Sequence, residues 1–336
     1  MKEALFYKKL EDKKVSCFLC HQFCVIEDGK RGFCGVRENR KGILYSLVYG
    51  KAIAQNVDPI EKKPLFHFYP GSASFSISTI GCNFRCLHCQ NADISQPLKE
   101  EVGLGRDVSP EEIVGTALAY GCQSISYTYT EPTIFFEYAL DIAKLAKEKG
   151  LKNNFVTNGY MSTQALETIR PFLDAANVDL KSFSDDFYKK VCAAKVKPVL
   201  ENLKLMVKYG IWVEVTTLII PTLNDDEENL KEIARFISTE MGKDVPWHVT
   251  AFYPTYKLAG LPSTGTPILE RAVEIGHKNG LRYVYTGNVP TTKYQHTYCF
   301  KCNEPLIKRW GYNIEKNLLK DGKCPKCGAV ISGKWI

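Results

Sequence analysis

The feature that most constrains the fold is a regular alternation of strand-like and helix-like segments over residues 74–286. Seven short runs rich in β-branched and aromatic residues are separated by segments of helical composition. Alternation of this kind predicts a parallel sheet whose strands are joined by crossover helices. An open doubly wound sheet and a full or partial barrel both fit the pattern, which therefore leaves the architecture open.

Several elements carry clear end signals. The segment "SPEEIVGTALAYG" predicts a helix with Ser109 as N-cap, Pro110 at the first position and Glu112 completing a capping box. The most strongly β-patterned run is "IWVEVTTLII" at 211–220. The other predicted strands are SFSISTI, SISYTYT, NNFVTN, AANVDLK, WHVTAF and RYVYT, and further helices are predicted over 134–149, 163–172, 226–241 and 269–279. The proline-containing "VDPIEKKPLFHFYPGS" is predicted to be an extended connector.

The chain has 13 cysteines, and most of them fall into three groups. No apolar run approaches the roughly 18 residues of a membrane span, and the charged start lacks a signal-peptide core, so we predict a cytoplasmic protein without membrane contact. Clustered cysteines in that compartment indicate metal ligands before disulfides. The groups are Cys17, Cys20, Cys24 and Cys34; Cys82, Cys86 and Cys89; and Cys299, Cys302, Cys324 and Cys327. Cys122 and Cys192 stand alone and are expected in the core.

The middle group follows the first predicted strand directly, at the edge where parallel sheets gather their ligands. Three thiolates on a [4Fe–4S] cluster would leave one iron free to bind another molecule. Zinc bound by Cys82, Cys86 and Cys89 together with His88 or an outside ligand stays open as an alternative. The net charge of +7 is mild for 336 residues and does not indicate nucleic-acid binding.

Polar residues near the other predicted strand ends are expected to line the same pocket. His248 is equally well explained as a hydrogen-bonded core histidine, and Lys181 as an ion-pair partner. The residues are Thr130, Glu131, Asn158, Asp179, Lys181, Glu214, Thr216, His248, Gly287 and Asn288.

The spacing C-x3-C-x2-C after the first strand of a βα series resembles the radical S-adenosylmethionine (SAM) superfamily, over about residues 74–288. Several segments also resemble its pyruvate formate-lyase-activating-enzyme-like branch, and within it the AmmeMemoRadiSam system radical SAM enzymes. The resemblance implies an α/β fold with a partial (β/α)6 TIM-like barrel. These segments are GCNFRCLHCQNADISQ, YTYTEPTIFFEY, VTNGY, NVDLKSF, VEVTTLIIPTLND, WHVTAFYPTYK and YTGNVP.

The resemblance also implies residue roles. Cys82, Cys86 and Cys89 would hold the catalytic cluster, and His88 fills a usually aromatic position near the SAM adenine. Thr130 and Glu131 stand in "YTEP", where the superfamily has a Gly-Gly-Glu-Pro-like motif, so the chain keeps the carboxylate for the SAM ammonium and loses the glycines. The further expected contacts to the cofactor are Asn158, Asp179, Glu214, Thr216 and His248.

The implied activity is that of a radical SAM oxidoreductase or activase. It would cleave SAM reductively to a 5′-deoxyadenosyl radical, which abstracts a hydrogen from a small molecule or peptide. A glycyl-radical-enzyme activating enzyme is the alternative, and a non-catalytic zinc-binding adaptor is the alternative from another class. The implied partners are a low-potential electron donor, ferredoxin or flavodoxin, and Memo-like and AMME-region-like pathway proteins.

The outer cysteine groups predict separate modules. Cys299-x2-Cys302 and Cys324-x2-Cys327 are typical of a zinc ribbon. The N-terminal group, in which His21 could replace a cysteine, fits either zinc or an auxiliary iron–sulfur cluster. The predicted organisation is a Cys-rich metal-binding module at 1–70, the radical SAM domain at 71–296 and the ribbon at 297–336.

Overall fold

The structure, a computed structural model, describes residues 1–290 and 293–335, so the last residue of the predicted ribbon lies outside the described residues. Strands are numbered here in chain order. They are β1 (Lys2–Glu3), β2 (Tyr7–Lys9), β3 (Val15–Cys17), β4 (Val25–Ile26), β5 (Arg37–Arg40), β6 (Ile43–Ser46), β7 (Lys51–Ala52), β8 (Ala54–Pro59), β9 (Ala73–Ser78), β10 (Arg106–Asp107), β11 (Ser124–Tyr127), β12 (Lys152–Thr157), β13 (Ala175–Asp179), β14 (Trp212–Ile219), β15 (Trp247–Ala251), β16 (Val284–Gly287), β17 (Thr297–Tyr298), β18 (Pro305–Trp310) and β19 (Asn313–Asn317).

Helices connect most of the central strands. They are α1 (Ala92–Ser95), α2 (Pro110–Ala119), α3 (Phe136–Glu148), α4 (Thr163–Ile169), α5 (Asp185–Phe187), α6 (Val196–Lys208), α7 (Glu227–Phe236) and α8 (Thr266–Lys278). Short 3-10 turns include Ile60–Lys62, Lys99–Glu101, Pro132–Phe135, Arg170–Phe172 and Tyr256–Leu258, and π-helical turns cover Tyr188–Cys192 and Ile237–Met241.

The central sheet has eight strands in the order β16-β15-β14-β13-β12-β11-β9-β8. Seven of them are parallel and match the seven strand-like runs, whereas β8 pairs antiparallel with β9. No ladder joins β8 to β16 among residues 1–290 and 293–335. The α/β class is therefore confirmed as a mixed, open sheet, with seven parallel strands where a (β/α)6 barrel implies six.

Local end signals explain the helix that follows the first long loop. The Ser109 side chain accepts from the Glu112 N–H at 3.2 Å, and the Glu112 carboxylate accepts from the Ser109 N–H at 2.6 Å. This capping box fixes the start of α2 as predicted. By contrast, α6 (Val196–Lys208) lacks a side-chain cap and was not predicted.

The predicted connector, residues 57–72, begins within β8, an edge strand of the main sheet. Asp58 of this strand binds Lys62 at 2.8 Å and the buried Lys63 at 2.7 Å, which ties the strand to the turn that follows it. Because β8 lies within 1–70, the main sheet includes part of the predicted N-terminal module.

Small antiparallel sheets form the rest of the N-terminal part, in the orders β1-β6-β5, β2-β3-β4 and β10-β7. A buried ion pair joins this part to α3, because the Arg37 guanidinium contacts the Glu137 carboxylate and both side chains are at most 2% exposed. The Arg37 guanidinium also donates to the Leu5 carbonyl at 2.9 Å, and Glu137 accepts from the Leu5 N–H at 2.7 Å.

The last sheet, β17-β18-β19, packs near the amino end of β16, in a buried cluster that includes Tyr283 and Tyr285. Arg309 is fully buried, donates to the Phe66 carbonyl at 2.8 Å and lies 4.2 Å over the Phe66 ring. His67 Nδ1 lies 2.8 Å from the Ser332 carbonyl, so residues 66–67 connect the C-terminal part to the main sheet. Within the described chain, none of the helices combines the length and apolarity that a membrane crossing requires.

Candidate functional site

The three-cysteine loop begins three residues after β9 ends, at the carboxyl edge of the sheet. Gly81 opens it with φ +103, and a Cβ there would lie 2.6 Å from Val36 Cγ1 and 3.1 Å from the Cys34 carbonyl. Only glycine can adopt this φ angle and lie this close to Val36 and the Cys34 carbonyl. The loop is thereby pressed against the N-terminal part of the chain.

Each of the three thiols has polar neighbours. The Phe84 N–H points to Cys82 Sγ at 3.4 Å, and Ser95 Oγ lies 3.0 Å from Cys89 Sγ. A hydrogen bond with the thiol of Cys192 lowers the pKa of the buried Cys86. Burial raises the pKa of Cys82 and of Cys89, so these two sulfurs ionise readily only when a cation binds them.

A cation lies beside this loop. Lys181 Nζ binds Asp179 Oδ2 at 2.8 Å, at the carboxyl end of β13. Burial lowers the pKa of Lys181, but the charges of Asp179 and Cys86 outweigh this and raise it, so the lysine stays protonated. Its charge in turn lowers the pKa of Cys86, which favours the thiolate.

Two buried nitrogens of the loop have no hydrogen-bond partner within the described residues, Asn83 Nδ2 and His88 Nδ1. Burial and the charge of Lys181 lower the pKa of His88 to about 3, so the ring is neutral at pH 7. Three sulfurs, a nearby ammonium group and unpaired buried donors suit an anionic iron–sulfur cluster. The residues present therefore fit a [4Fe–4S] cluster on Cys82, Cys86 and Cys89.

Glu131 organises the strand ends around the loop. Its Oε1 accepts from the Thr133 N–H at 3.0 Å, from Thr133 Oγ1 at 2.6 Å and from Thr157 Oγ1 at 2.8 Å, while Oε2 accepts from the Asn158 N–H at 2.8 Å. Asn158 Nδ2 donates to Asn83 Oδ1 at 2.8 Å and lies 3.9 Å from Cys82 Sγ. The carboxylate thus connects the ends of β11 and β12 to the cysteine loop.

Tyr129 occupies the first of the positions at which glycines were expected, and it is left-handed with φ 66. Its hydroxyl donates to Asp58 Oδ2 at 2.5 Å, and Lys63 Nζ lies 4.6 Å from the ring centre. These contacts offset a conformation that costs a non-glycine residue about 1–2 kcal/mol. The neighbouring Thr130 hydroxyl donates to the Thr79 carbonyl at 2.8 Å, next to the start of the loop.

Comparison with known proteins agrees with this geometry. A family model described as the Radical SAM superfamily matches residues 76–237, a stretch that runs from β9 to the end of α7 and includes the loop. The chain belongs to the radical SAM superfamily. Its relatives include pyruvate formate-lyase-activating enzymes.

Three proteins show how far the similarity to this chain extends. The uncharacterized protein MJ0808 of Methanocaldococcus jannaschii is 47% identical over 333 residues, which cover 98% of this chain and 99% of that one. The pyruvate formate-lyase-activating enzyme of Clostridium pasteurianum is 27% identical over 188 residues, 53% of this chain and 76% of the enzyme. SuiB of Streptococcus suis, solved with S-adenosylmethionine, has a TM-score of 0.51 at 12% identity, covering 68% of this chain and 52% of SuiB, which shows a shared fold.

Three predicted radical SAM site residues lie elsewhere in their strands than expected. Glu214 and Thr216 are the third and fifth of the eight residues of β14, and His248 is the second residue of β15, so none of them ends its strand. Thr216 and His248 are nevertheless in register with Asp179, the last residue of β13, whereas Glu214 lies deeper in the sheet. Glu214 accepts from the N–H groups of Phe66 and His67, from Trp212 Nε1 and from His248 Nε2. The Thr216 hydroxyl donates to Asn177 Oδ1 at 2.9 Å.

The C-terminal cysteines form a compact group of four. Cys299 Sγ lies 3.6 Å from Cys327 Sγ, Cys302 Sγ lies 3.7 Å from Cys324 Sγ, and all four sulfurs are within 4.8 Å of one another. Burial raises the pKa of Cys324, but backbone N–H groups and neighbouring thiols lower it to about 7. The arrangement can take one metal ion.

Two residues of the radical SAM site were missed by the sequence reasoning. Asn83 carries no signal beyond its place next to Cys82. Cys192 was expected to be an inert core cysteine, and it is fully buried, yet its thiol lies beside Cys86. The Arg85 N–H donates to the Cys192 carbonyl at 2.9 Å, so the π-helical turn that carries Cys192 also supports the loop.

Proposed function

We propose that the protein is a radical SAM enzyme that reductively cleaves S-adenosylmethionine at a [4Fe–4S] cluster held by Cys82, Cys86 and Cys89, and abstracts a substrate hydrogen. The carrying observation is that this loop lies at the carboxyl edge of the parallel sheet, inside the segment matched to the superfamily. The bound cluster would supply one electron to SAM, whose cleavage gives the 5′-deoxyadenosyl radical. The sheet is proposed to curve into a partial barrel.

The protein's own residues would position the cofactor. Lys181 would offset the charge of the thiolate-bound cluster, and the Glu131–Asn158 pair would fix the edge on which SAM lies. The unpaired nitrogen of His88 is available for a cofactor contact next to the last cysteine. The loop is held by backbone hydrogen bonds on both sides, since Gly81 N–H donates to the Ile94 carbonyl and Leu87 N–H to the Val191 carbonyl.

The substrate is proposed as a small molecule or peptide. The Clostridium pasteurianum relative supports a second candidate, activation of a glycyl-radical enzyme. Deuterium transfer from backbone glycine of a protein partner into 5′-deoxyadenosine would distinguish the second candidate from the first. A ferredoxin or flavodoxin as electron donor, Memo-like and AMME-region-like proteins as pathway partners, zinc at the C-terminal cysteines and a cytoplasmic location belong to the same proposal.

The test is anaerobic purification followed by iron analysis, a visible spectrum and a SAM-cleavage assay with dithionite. Wild-type protein should be brown and produce 5′-deoxyadenosine, and Cys86→Ala should lose the product. Cys122→Ala is the matched control, because Cys122 is equally buried but lies outside the three cysteine groups. A colourless protein containing only zinc would contradict the proposal and favour the adaptor.

A further inference from the structure

The N-terminal cysteines surround a cavity that the proposed reaction does not use. Cys17, Cys20, Cys24 and Cys34 all line it, and its volume is about 20 Å³. The remaining lining residues are Leu19, Gln22, Ile26, Gly32, Arg37 and Ile134. His21 does not line the cavity, so the four thiols are its metal-binding groups.

The two four-cysteine groups of this chain differ in geometry. Around a single zinc ion with bonds of about 2.3 Å, tetrahedral thiolates lie about 3.8 Å apart, which matches the C-terminal group. In the part of the chain that the structure describes, the C-terminal four are the only ligand group of three or more with all atoms within 4.8 Å. The N-terminal sulfurs are not drawn together in this way, and they surround a space large enough for a water molecule, which four thiolates bound to one zinc ion would not leave.

A cuboidal cluster explains this spread, because its four irons hold the four thiolates further apart than a single ion does. The charge distribution also suits an anionic group. The Arg37 guanidinium is buried and lies 3.9 Å from Cys17 Sγ. A buried cation of this kind compensates the charge of thiolate-bound iron.

The cavity shares a wall with the radical SAM loop. Gln22 lines the cavity, and its Nε2 donates to the Asn83 carbonyl at 2.9 Å. On its other side, Asn83 Oδ1 lies 3.9 Å from Cys82 Sγ. The buried Asn83 therefore connects Cys82 to the wall of the N-terminal cavity.

The backbone fixes this juxtaposition. His21 N–H donates to the Tyr160 carbonyl at 3.0 Å, and Ser162 N–H donates to the Leu19 carbonyl at 2.9 Å. The Cys17–Cys24 segment is thereby attached to the chain that follows β12, the strand that leads into Asn158. Both cysteine groups lie at the same edge of the sheet.

We infer that Cys17, Cys20, Cys24 and Cys34 hold a second iron–sulfur cluster, which passes electrons through Asn83 to the cluster of the radical SAM loop. In this step the reduced N-terminal cluster loses one electron and the oxidised loop cluster gains it, and no covalent bond changes. The electron is supplied from outside by a ferredoxin- or flavodoxin-class donor. The role as a relay rests on the proposed function, whereas the cluster itself does not.

The test measures metals and electron paramagnetic resonance (EPR) on anaerobically reconstituted full-length protein. Wild type should contain about eight irons and one zinc per chain, against about four irons in the quadruple variant Cys17→Ala, Cys20→Ala, Cys24→Ala, Cys34→Ala. About four irons should also remain in the triple variant Cys82→Ala, Cys86→Ala, Cys89→Ala. Two zincs and about four irons in wild type would overturn the inference.

The two proposals fail in different ways. If iron is lost completely in the triple variant but not in the quadruple variant, the proposed function stands and the second cluster is refuted. If the reverse holds, the second cluster stands and the loop cluster fails. Mössbauer counting of clusters in the wild type gives the answer even if a variant does not fold, and reduced wild type should show a split or broadened EPR signal. Two magnetically isolated clusters would refute the relay.

Discussion

Glu214 is expected to stabilise the fold and to have no part in SAM binding. Its carboxylate is fully buried and accepts four hydrogen bonds: Oε1 from the His67 N–H at 2.7 Å and Trp212 Nε1 at 3.1 Å, and Oε2 from the Phe66 N–H at 2.9 Å and His248 Nε2 at 2.7 Å. One of the two donors to each oxygen is a backbone N–H, which is fixed in position and cannot become an acceptor.

Glu214→Gln converts one of these acceptors into a donor. In the more favourable orientation the new amide NH2 faces His248 Nε2 and the Phe66 N–H. His248 can become an acceptor by changing tautomer, whereas the Phe66 N–H remains a donor. The variant then loses one charge-assisted hydrogen bond and leaves a buried donor unpaired, which together should lower the free energy of unfolding by about 2–4 kcal/mol.

The assay is urea denaturation at pH 7, paired with SAM affinity of the reconstituted protein. Glu201→Gln is the matched control, because Glu201 is half exposed with a lysine 3.8 Å away, and its change in unfolding free energy should stay within about 0.5 kcal/mol. SAM affinity should change less than about threefold in both variants, which is under 1 kcal/mol. A Glu214→Gln protein of wild-type stability that has lost SAM binding would refute this reasoning.

Three further outcomes are expected. Gly81→Ala should lower iron content and stability together, because φ is +103 and the new methyl would meet Val36 at 2.6 Å, and wild-type iron binding would contradict this. Ser109→Ala should cost about 1 kcal/mol in thermal unfolding without changing SAM cleavage. Burial lowers the pKa of His67 to about 4, so the unfolded chain binds more protons below pH 6.5, and stability should fall by up to about 3 kcal/mol as the pH drops from 6.5 through 4. His67→Gln should flatten that dependence in denaturation midpoints, and an unchanged slope would show that His67 is not its source.

Much of the sheet could be predicted from the sequence, because the local signals for its helices and strands agree with their order in the folded protein. The helix after Ser109 has its cap, its proline and its capping box within four residues. The alternation of strands predicted seven parallel strands, and the structure has seven. In contrast, β8 contains Asn56, Asp58 and Pro59, and such a strand forms only because the edge of β9 offers partners far along the chain.

The residues of the candidate site could be predicted from the sequence only where they stand at or just after the end of a strand. Cys82, Asn158 and Asp179 lie at carboxyl ends as expected. Glu214 and His248 lie inside their strands, because the alternation of residues that predicts a strand does not show at which residue the strand ends. The nearness of Cys192 to Cys86 depends on chain segments about a hundred residues apart in sequence, and a local sequence pattern does not indicate such a contact.

The C-terminal cysteines and the reactive loop lie at opposite edges of the same sheet, the former packed near residues 66–67 and the amino end of β14 and the latter at the carboxyl ends. Loss of structure in the loop should therefore not destabilise the packing around the C-terminal cysteines. If the loop holds the proposed cluster, loss of its iron in air should leave the C-terminal packing intact, and the remaining scaffold should accept a new cluster afterwards.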